Sequence, residues 1–591
     1  MKNVNQNRSG DQMKITRRVF VLASSLAVVV AAGCATSPAV VSTPADTIYY
    51  GGTIITVDDA QPTAEAVAVL DGKIAAVGSQ SVIARQFKGS ATRMVDLAGN
   101  TLVPGFVDAH SHFSMVGLQA KAANLLPPPD GPATSIAQIQ QIMRDYIATS
   151  PTIEEYAMAL GFNYDDSQLV EKRHPTAAEL DAISTEMPVV VMHQSGHLGV
   201  YNSRALELAG VSATTPNPPG GKIYRKADGK TPTGLMDENA HISTLMKLLP
   251  KFTPEQVMGL LTASQEIYIA NGFTTVQDGR TDPATLQALP FAGAKGLLKV
   301  DLVSYPDLEM AEKSPMLVGP AMSRDYTNHF RIGGVKLTFD GSPQGKTAWF
   351  TQPYFQPPEG QPADYAGEPI FSSDEEPVRL AKMAYANSWQ LLVHANGDAA
   401  IDQLIRVAGA AEAAFPGEDR RTVLIHGQYL RADQISALSQ LGIFPALYPM
   451  HTFYWGDWHR TSVAGPERAE FISPTGAVLG AGMKFSIHSD APVTFPNSMR
   501  LLDSAVNRTT RTGYVLGPQQ RIEPLVALKA MTLWPAYQHF EEDTKGSIEV
   551  GKVADFVVLS ENPLGVERAR LIDINVVETI KAGESIYRIA Q

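Results

Sequence analysis

Eight short apolar runs punctuate the stretch from Thr101 to Asp490: TLVPGFVDA, GFTTVQDG, LLKVDLVSY, RIGGVKLTF, WQLLVHA, RTVLIHG, IFPALYP and KFSIHSD. Each has the length of a strand buried on both faces. Helical stretches lie between several of them. TPEQVMGLLTASQEIYIANG has Thr253 as its cap, Pro254 in the first turn and Gln256 in capping-box position, and it stops at Gly272. SDEEPVRLAKMAYANS reads similarly, with Ser373 as cap and Glu376 three residues on, although Pro377 constrains the first turn. Strands alternating with helices make a parallel sheet, and eight such units predict an α/β fold, a (β/α)8 TIM barrel. A barrel of this kind needs roughly 250 residues, and the span here is longer. The surplus falls at about 114–249, after barrel strand 1, and reads as an insertion capping the barrel mouth.

The two ends have a different texture. DTIYYGGTIITVD, EAVAVLDGKIAAVG and TRMVDLAGN near the start are short β-runs with Gly and Asp-Gly turns, and GSIEVGKVADFVVLSE and VVETIKAGESIYRI near the end match them. Residues 46–100 plus 540–591 are therefore expected to form one small composite β-sandwich domain, beside a barrel domain over 101–539. At 591 residues the chain is too long for one ordinary domain. The net charge of −12 and the lack of a basic stripe argue against nucleic acid as a partner. Residues 1–33 carry a basic stretch, an apolar run and small residues before Cys34, the layout of an export signal. AAGC resembles a lipobox, so Cys34, the chain's single cysteine, is expected to carry lipid, with 34–45 as a tether. That points to an exported bacterial protein of the periplasm or cell envelope, membrane-bound through its lipid.

Barrel chemistry gathers where strands end, because the loops after them meet there. The first run ends on His110 and His112, two imidazoles facing the same way on a strand. The fourth run carries Lys336, the fifth ends at His394, the sixth at His426 and the eighth at Asp490. Imidazole and carboxylate suit Zn²⁺ and related divalent ions. A lysine whose pKa is depressed by burial can add CO₂ to give an anionic carbamate. Asp490 has two possible jobs: ligand and proton acceptor, or cap of a helix after SDAP.

With these residues in place the chain resembles the amidohydrolase superfamily, in its amidohydrolase-3 branch, which holds N-substituted formamide deformylases and exoenzyme-regulator-like proteins. The likeness covers nearly all of 46–591. It rests on PGFVDAHSH, GFTTVQDG, GGVKLTFDGSPQGKTAWF, HANGDAA, HGQ, SDAPV and KGSIEVGKVADFVVL, with SGHLGVYNSRAL and PTGLMDENA in the insertion. The resemblance implies metal ligation by His110, His112, Lys336, His394, His426 and Asp490. One ion would take the HxH pair and Asp490, the second His394 and His426, with N-carboxylated Lys336 as the bridge. Zinc, one or two ions per chain, is the expected cofactor.

The pocket is read from the loops. His197 and Asn202, in SGHLGVYNS, are candidate substrate contacts; a satisfied polar turn is the plainer alternative. YPMHTFYWGDWHR after the seventh run packs aromatics at the barrel mouth, and Tyr454 and Trp455 are expected to wall an apolar substrate group. Asp278 and Asp340 should orient ligands or loops, and Asp398 should cap the helix after the fifth run. The expected activity is hydrolysis of an amide or N-formyl C–N bond of a small molecule by metal-bound hydroxide, with Asp490 moving the proton. Two alternatives stay open: ring deamination or ester, lactone or carbamate cleavage at the same site, and a non-catalytic binding lipoprotein on this scaffold. Lys336 counts against a deaminase, and the intact donor set counts against a binding protein.

Overall fold

The computed structural model describes residues 43–358 and 360–590. The export segment, Cys34 and most of the tether lie outside the described residues. Among the described residues no helix is long and apolar enough to cross a membrane.

The alternating runs form parallel strands. Phe106–Val107 pairs with Phe273–Thr281, which pairs with Asp301–Pro306 and then Phe330–Ile332. A second parallel set follows: Gly334–Thr338, Gln390–Ala395, Val423–His426, Phe444–Leu447 and Ser486–Ile487. A bridge between Asp307 and Lys336 links the two sets. At the other side the His112 amide donates to the Ala491 carbonyl at 2.7 Å, and the Asp490 amide to the His110 carbonyl at 3.2 Å. The last strand's end is thus tied to the first strand's end, in an α/β fold of TIM-barrel type.

Two runs are divided where the sequence suggests continuity. RIGGVKLTF ends one parallel set with Phe330–Ile332 and opens the next with Gly334–Thr338. TLVPGFVDA gives only Phe106–Val107 to the barrel, while Thr101–Pro104 belongs to the sheet of the chain ends. Gly105 is the crossing point. A Cβ there would lie 2.3 Å from Oγ1 of Thr274, so the chain passes the second strand with no room for a side chain.

Helix starts follow hydrogen-bond accounting. Pro254–Ala270 has the expected reciprocal box between Thr253 and Gln256. The helix read as capped by Ser373 instead runs Glu375–Ala386, after Asp374, and Glu376 forms no box. Pro377 supplies the reason. With Ser373 as cap, Pro377 would be the first residue required to donate an intrahelical bond, which it cannot do. Starting one residue later puts it among positions whose donors are unused anyway. Asp398 is likewise not a cap. Helix Asp398–Ala414 follows Gly397, and the Asp398 carboxylate accepts from the Thr351 amide at 2.9 Å and from Arg431 at 3.0 Å.

The chain ends meet in one sheet of eight strands. Thr101–Pro104 pairs antiparallel with Phe556–Leu559, and Val103 faces Val557. Thr47–Ile55 joins both parts, pairing with Arg93–Asp96 through its first half and with Thr101–Pro104 beyond a register shift between Tyr50 and Ile54. Tyr49, Val67, Leu102, Phe556 and Ile580 share one apolar cluster drawn from both ends. Between 123 and 237 lies a six-stranded sheet of its own. Val190 and Met192 pack into one cluster and Val189 and Val191 into another, the period-two alternation of a sheet covered on both faces.

Charges tie the end sheet to the barrel. Asp301, on the third barrel strand, is buried with Lys545 and Lys581, each 2.5 Å away. Glu541 holds Arg331 at 2.7 Å and Lys545 at 2.9 Å. Burial alone would raise the Glu541 pKa, but Lys545 and Arg331 bring it down to about 2 from an ordinary 4.5. A depressed carboxylate stabilises the fold above its unfolded pKa, so this contribution is lost as pH falls from 4.5 towards about 2. Asp301→Ala would leave Lys545 with Glu541 alone and Lys581 with Asp555 alone, and is expected to cost about 1.5–3 kcal/mol, read as a lowered urea midpoint. A midpoint within error of the parent would show that the cluster does not tie the sheet to the barrel.

Candidate metal centre

His110 is fully buried at the end of the first strand. Its Nδ1 is 2.6 Å from Oε1 of Gln277, whose own amide nitrogen donates to the Ala109 carbonyl at 2.7 Å. Gln277 thereby fixes the ring and leaves Nε2 facing inward. His112 is oriented similarly, its Nδ1 2.5 Å from the Gly279 carbonyl. Gly279 leaves room for the His110 ring, since a Cβ there would lie 2.4 Å from Cε1 of His110. Both Nε2 atoms lie 3.4 Å from Oδ1 of Asp490. The HxH pair therefore converges on the carboxylate of the eighth strand.

His394 and His426 form the other half. Nδ1 of His394 is 3.0 Å from Nε2 of His426, and their rings are 4.5 Å apart. Nδ1 of His426 has no hydrogen-bond partner and sits 4.0 Å from Oδ2 of Asp490. Lys336 stands between the halves, its Nζ 3.1 Å from Nε2 of His110. All six predicted donors thus meet at one end of the barrel. His426 and Asp490 both adopt positive φ, 75° and 54°. Such backbone strain in non-glycine residues concentrates at functional sites.

Electrostatics favour the ligand forms. Burial pushes the pKa values of His110, His394 and His426 well below the imidazole range, which keeps these rings neutral. Burial opposes the charge on Asp490, yet His112, His488 and Lys336 hold its pKa below the usual value. Burial lowers Lys336 to about 7, so a large share is free amine at neutral pH. Oδ1 of Asp490 has no hydrogen-bond donor although it is sealed from water. Nitrogen lone pairs, a carboxylate and orphaned buried acceptors together are a donor set that fits a divalent cation. His110, His426 and Asp490 already offer ligand atoms within 4.8 Å of one another.

Surrounding carboxylates brace the loops, as read for Asp278 and Asp340. Asp278 accepts from the amide and hydroxyl of Ser114 and from Thr281. Asp340 accepts three backbone amides, from Trp349, Asn396 and Gly397. His197 comes to the site, its ring 5.5 Å from that of His394, and Glu238 holds its Nδ1 at 2.8 Å.

Three predicted substrate contacts have other work. Asn202 caps helix Ser203–Leu208, its oxygen accepting from Ala205 and Val189 and its nitrogen donating to Ser184 and Met187. With every polar atom engaged and no exposure, it has nothing left for a substrate. Trp455 is wholly buried and donates to Asp165 at 2.8 Å, and Tyr454 is almost so and donates to Asp130 at 2.6 Å. Both knit the helix His451–Trp458 to the insertion and expose no face for an apolar wall. Glu238 and Gln277 are the residues that sequence reasoning passed over. Glu238 lies in PTGLMDENA and Gln277 in GFTTVQDG, both already motif stretches, but neither has a local pattern that marks a partner 41 or 167 residues away.

Comparison with known proteins bears on the family and the fold. The family model described as "Amidohydrolase family" matches residues 93–587. N-substituted formamide deformylase of Arthrobacter pascens is 27% identical over 559 residues, covering 92% of this chain and 98% of that protein. Protein LONG AFTER FAR-RED 3 of Arabidopsis thaliana is 28% identical, covering 92% of each. The crystal structure of an uncharacterized metal-dependent hydrolase from Pyrococcus horikoshii superposes with a TM-score of 0.70 at 23% identity, over 88% of this chain and 99% of that one.

Because Gln277 sets the ring of His110, Gln277→Leu should weaken metal retention about 10–100-fold. Competition with a chelator measures it. Unaltered retention would mean that the His110 ring is held without Gln277.

Proposed function

The chain belongs to the amidohydrolase family, and on that premise we propose that it is a metal-dependent hydrolase of a C–N bond, an amide or N-formyl group on a small molecule. The observation that carries this reading is the convergence of four imidazoles, Lys336 and Asp490 on one point, with three of the rings held neutral. A divalent ion bound there supplies Lewis acidity, bringing the pKa of water towards neutrality and polarising a carbonyl. His110, His112 and Asp490 would hold one ion, and His394 and His426 a second.

The chain's own groups divide the remaining work. Asp490 is ionised, so it accepts a proton from the attacking water and returns it to the departing amine. Lys336, with a pKa of about 7, has the free amine needed to add CO₂, and the resulting carbamate would bridge the two halves. His197, fixed by Glu238 beside His394, orients the substrate. The formamide deformylase likeness supports an N-substituted formamide as the first substrate to try. The export layout of residues 1–33 supports a place in the bacterial envelope, with lipid on Cys34.

Three measurements test these readings. Formate release from N-benzylformamide, followed beside metal content, should fall to background in the His110→Ala, His112→Ala double variant with loss of at least one metal equivalent. Full metal content there would sink the ligand assignment. Lys336→Ala should lose the second equivalent together with turnover, and a short carboxylic acid should restore part of both. Unchanged stoichiometry would leave a one-metal site without a carbamate. Cys34→Ala should move the protein from membranes to the soluble exported fraction; a wild-type protein already soluble with unmodified Cys34 would refute the anchor.

A further inference from the structure

The loop after the seventh strand brings two histidines that the metal centre does not use. His451 opens the helix His451–Trp458, and His459 begins the π turn His459–Val463 that follows. Such turns are rare and occur mostly at functional sites. Nδ1 of His451 is 3.0 Å from Nε2 of His459, and Nδ1 of His459 is 2.7 Å from the Tyr429 hydroxyl. All three residues are buried.

The chain of bonds has a direction. Among the described residues the Tyr429 hydroxyl has this one partner, so its single hydrogen goes to Nδ1 of His459; accepting instead would leave a buried O–H unused. His459 then carries its proton on Nε2 and gives it to Nδ1 of His451. That leaves His451 with its proton on Nε2. Burial holds both rings neutral, with His459 lowered to about 3. Nε2 of His451 takes no partner among the described residues and is not among the sealed polar atoms. Its ring is 4.6 Å from that of Tyr448, which is 5.9 Å from the metal-side ring of His426. Trp455, 4.5 Å on the other side, carries Asp165 on its indole nitrogen.

We propose that His451 is a specificity-determining residue: its Nε2–H, set by His459 and Tyr429, donates to a neutral acceptor oxygen on the substrate arm remote from the scissile carbonyl. This deepens the amidohydrolase reading and rests on it. Tyr448 is the ring in contact with both His451 and His426, so a substrate arm reaching His451 from the metal side has to pass one aromatic side chain. A neutral acceptor suits the place, because the donor ring is itself neutral and Asp165 and the adjacent Asp166 offset the nearby Arg511 guanidinium. His459 and Tyr429 are positioning residues.

The test uses two probes, N-benzylformamide and N-(4-methoxybenzyl)formamide, and their amine products, with the full metal-loaded chain. The methoxy probe should have a kcat/KM about five- to tenfold higher, mostly through KM, which is the worth of one neutral hydrogen bond. His451→Phe should bring that ratio to about one, and Tyr429→Phe, which frees the tautomer and keeps the ring in place, should lower it part-way. Long-range ¹⁵N NMR should find His451 and His459 protonated at Nε2 in the wild type, with mixed tautomers in Tyr429→Phe. If neither amide is cleaved, the amide reading fails. Calorimetry of 4-methoxybenzylamine against benzylamine then decides the inference separately, with tighter binding of the methoxy amine expected. Equal binding of the two amines, a ratio that survives in His451→Phe, or His451 protonated at Nδ1 would each overturn it.

Discussion

A carboxylate is buried among imidazoles, and most of the barrel end is arranged around it. Asp490 lies 3.4 Å from two Nε2 atoms and has one oxygen with no donor at all. An isolated buried anion would neutralise itself by taking a proton. Here His112, His488 and Lys336 keep it charged. The same burial that endangers Asp490 strips protons from His110, His394 and His426 and brings Lys336 to about 7. One physical cause therefore yields neutral nitrogen donors, a free amine and a retained anion together.

Holding these groups still is the task of an outer layer. Gln277 and the Gly279 carbonyl set the tautomers of His110 and His112. Asp340 gathers three amides of the loops after strands four and five, and Asp278 takes the Ser114 amide and hydroxyl after the first. The insertion contributes Glu238, which reaches back to His197. The chain ends contribute differently. Their sheet touches none of the six donors in these contacts, but it anchors the third strand from below through Asp301, Lys545 and Lys581.

The order of the barrel strands and the strand-end places of His110, His112, His394, His426 and Asp490 were legible in the sequence because both rest on local rules, whereas a ligand role for them and for Lys336 came from the family resemblance. Side chains alternate along a strand, so His110 and His112 share a face, and a strand's last residue faces the loops of that end. Helix starts were partly legible. The box at Thr253 depends on three residues in a row and forms as read. At Ser373 one proline, Pro377, shifted the start by a residue, a consequence of its missing N–H.

What only the tertiary structure decided are roles that need a distant partner. Asn202 looked like a substrate contact and is a helix cap, because Val189, Ser184 and Met187 take the rest of its amide. Tyr454 and Trp455 looked like a pocket wall and are tied to Asp130 and Asp165, more than 280 residues earlier in the chain. Asp398 looked like a cap and serves Thr351 and Arg431. An aromatic or polar side chain has several possible partners of equal chemistry. Sequence supplies the chemistry, but only the packed fold settles which partner comes within 3 Å, because burial makes one hydrogen bond obligatory and leaves no space for another.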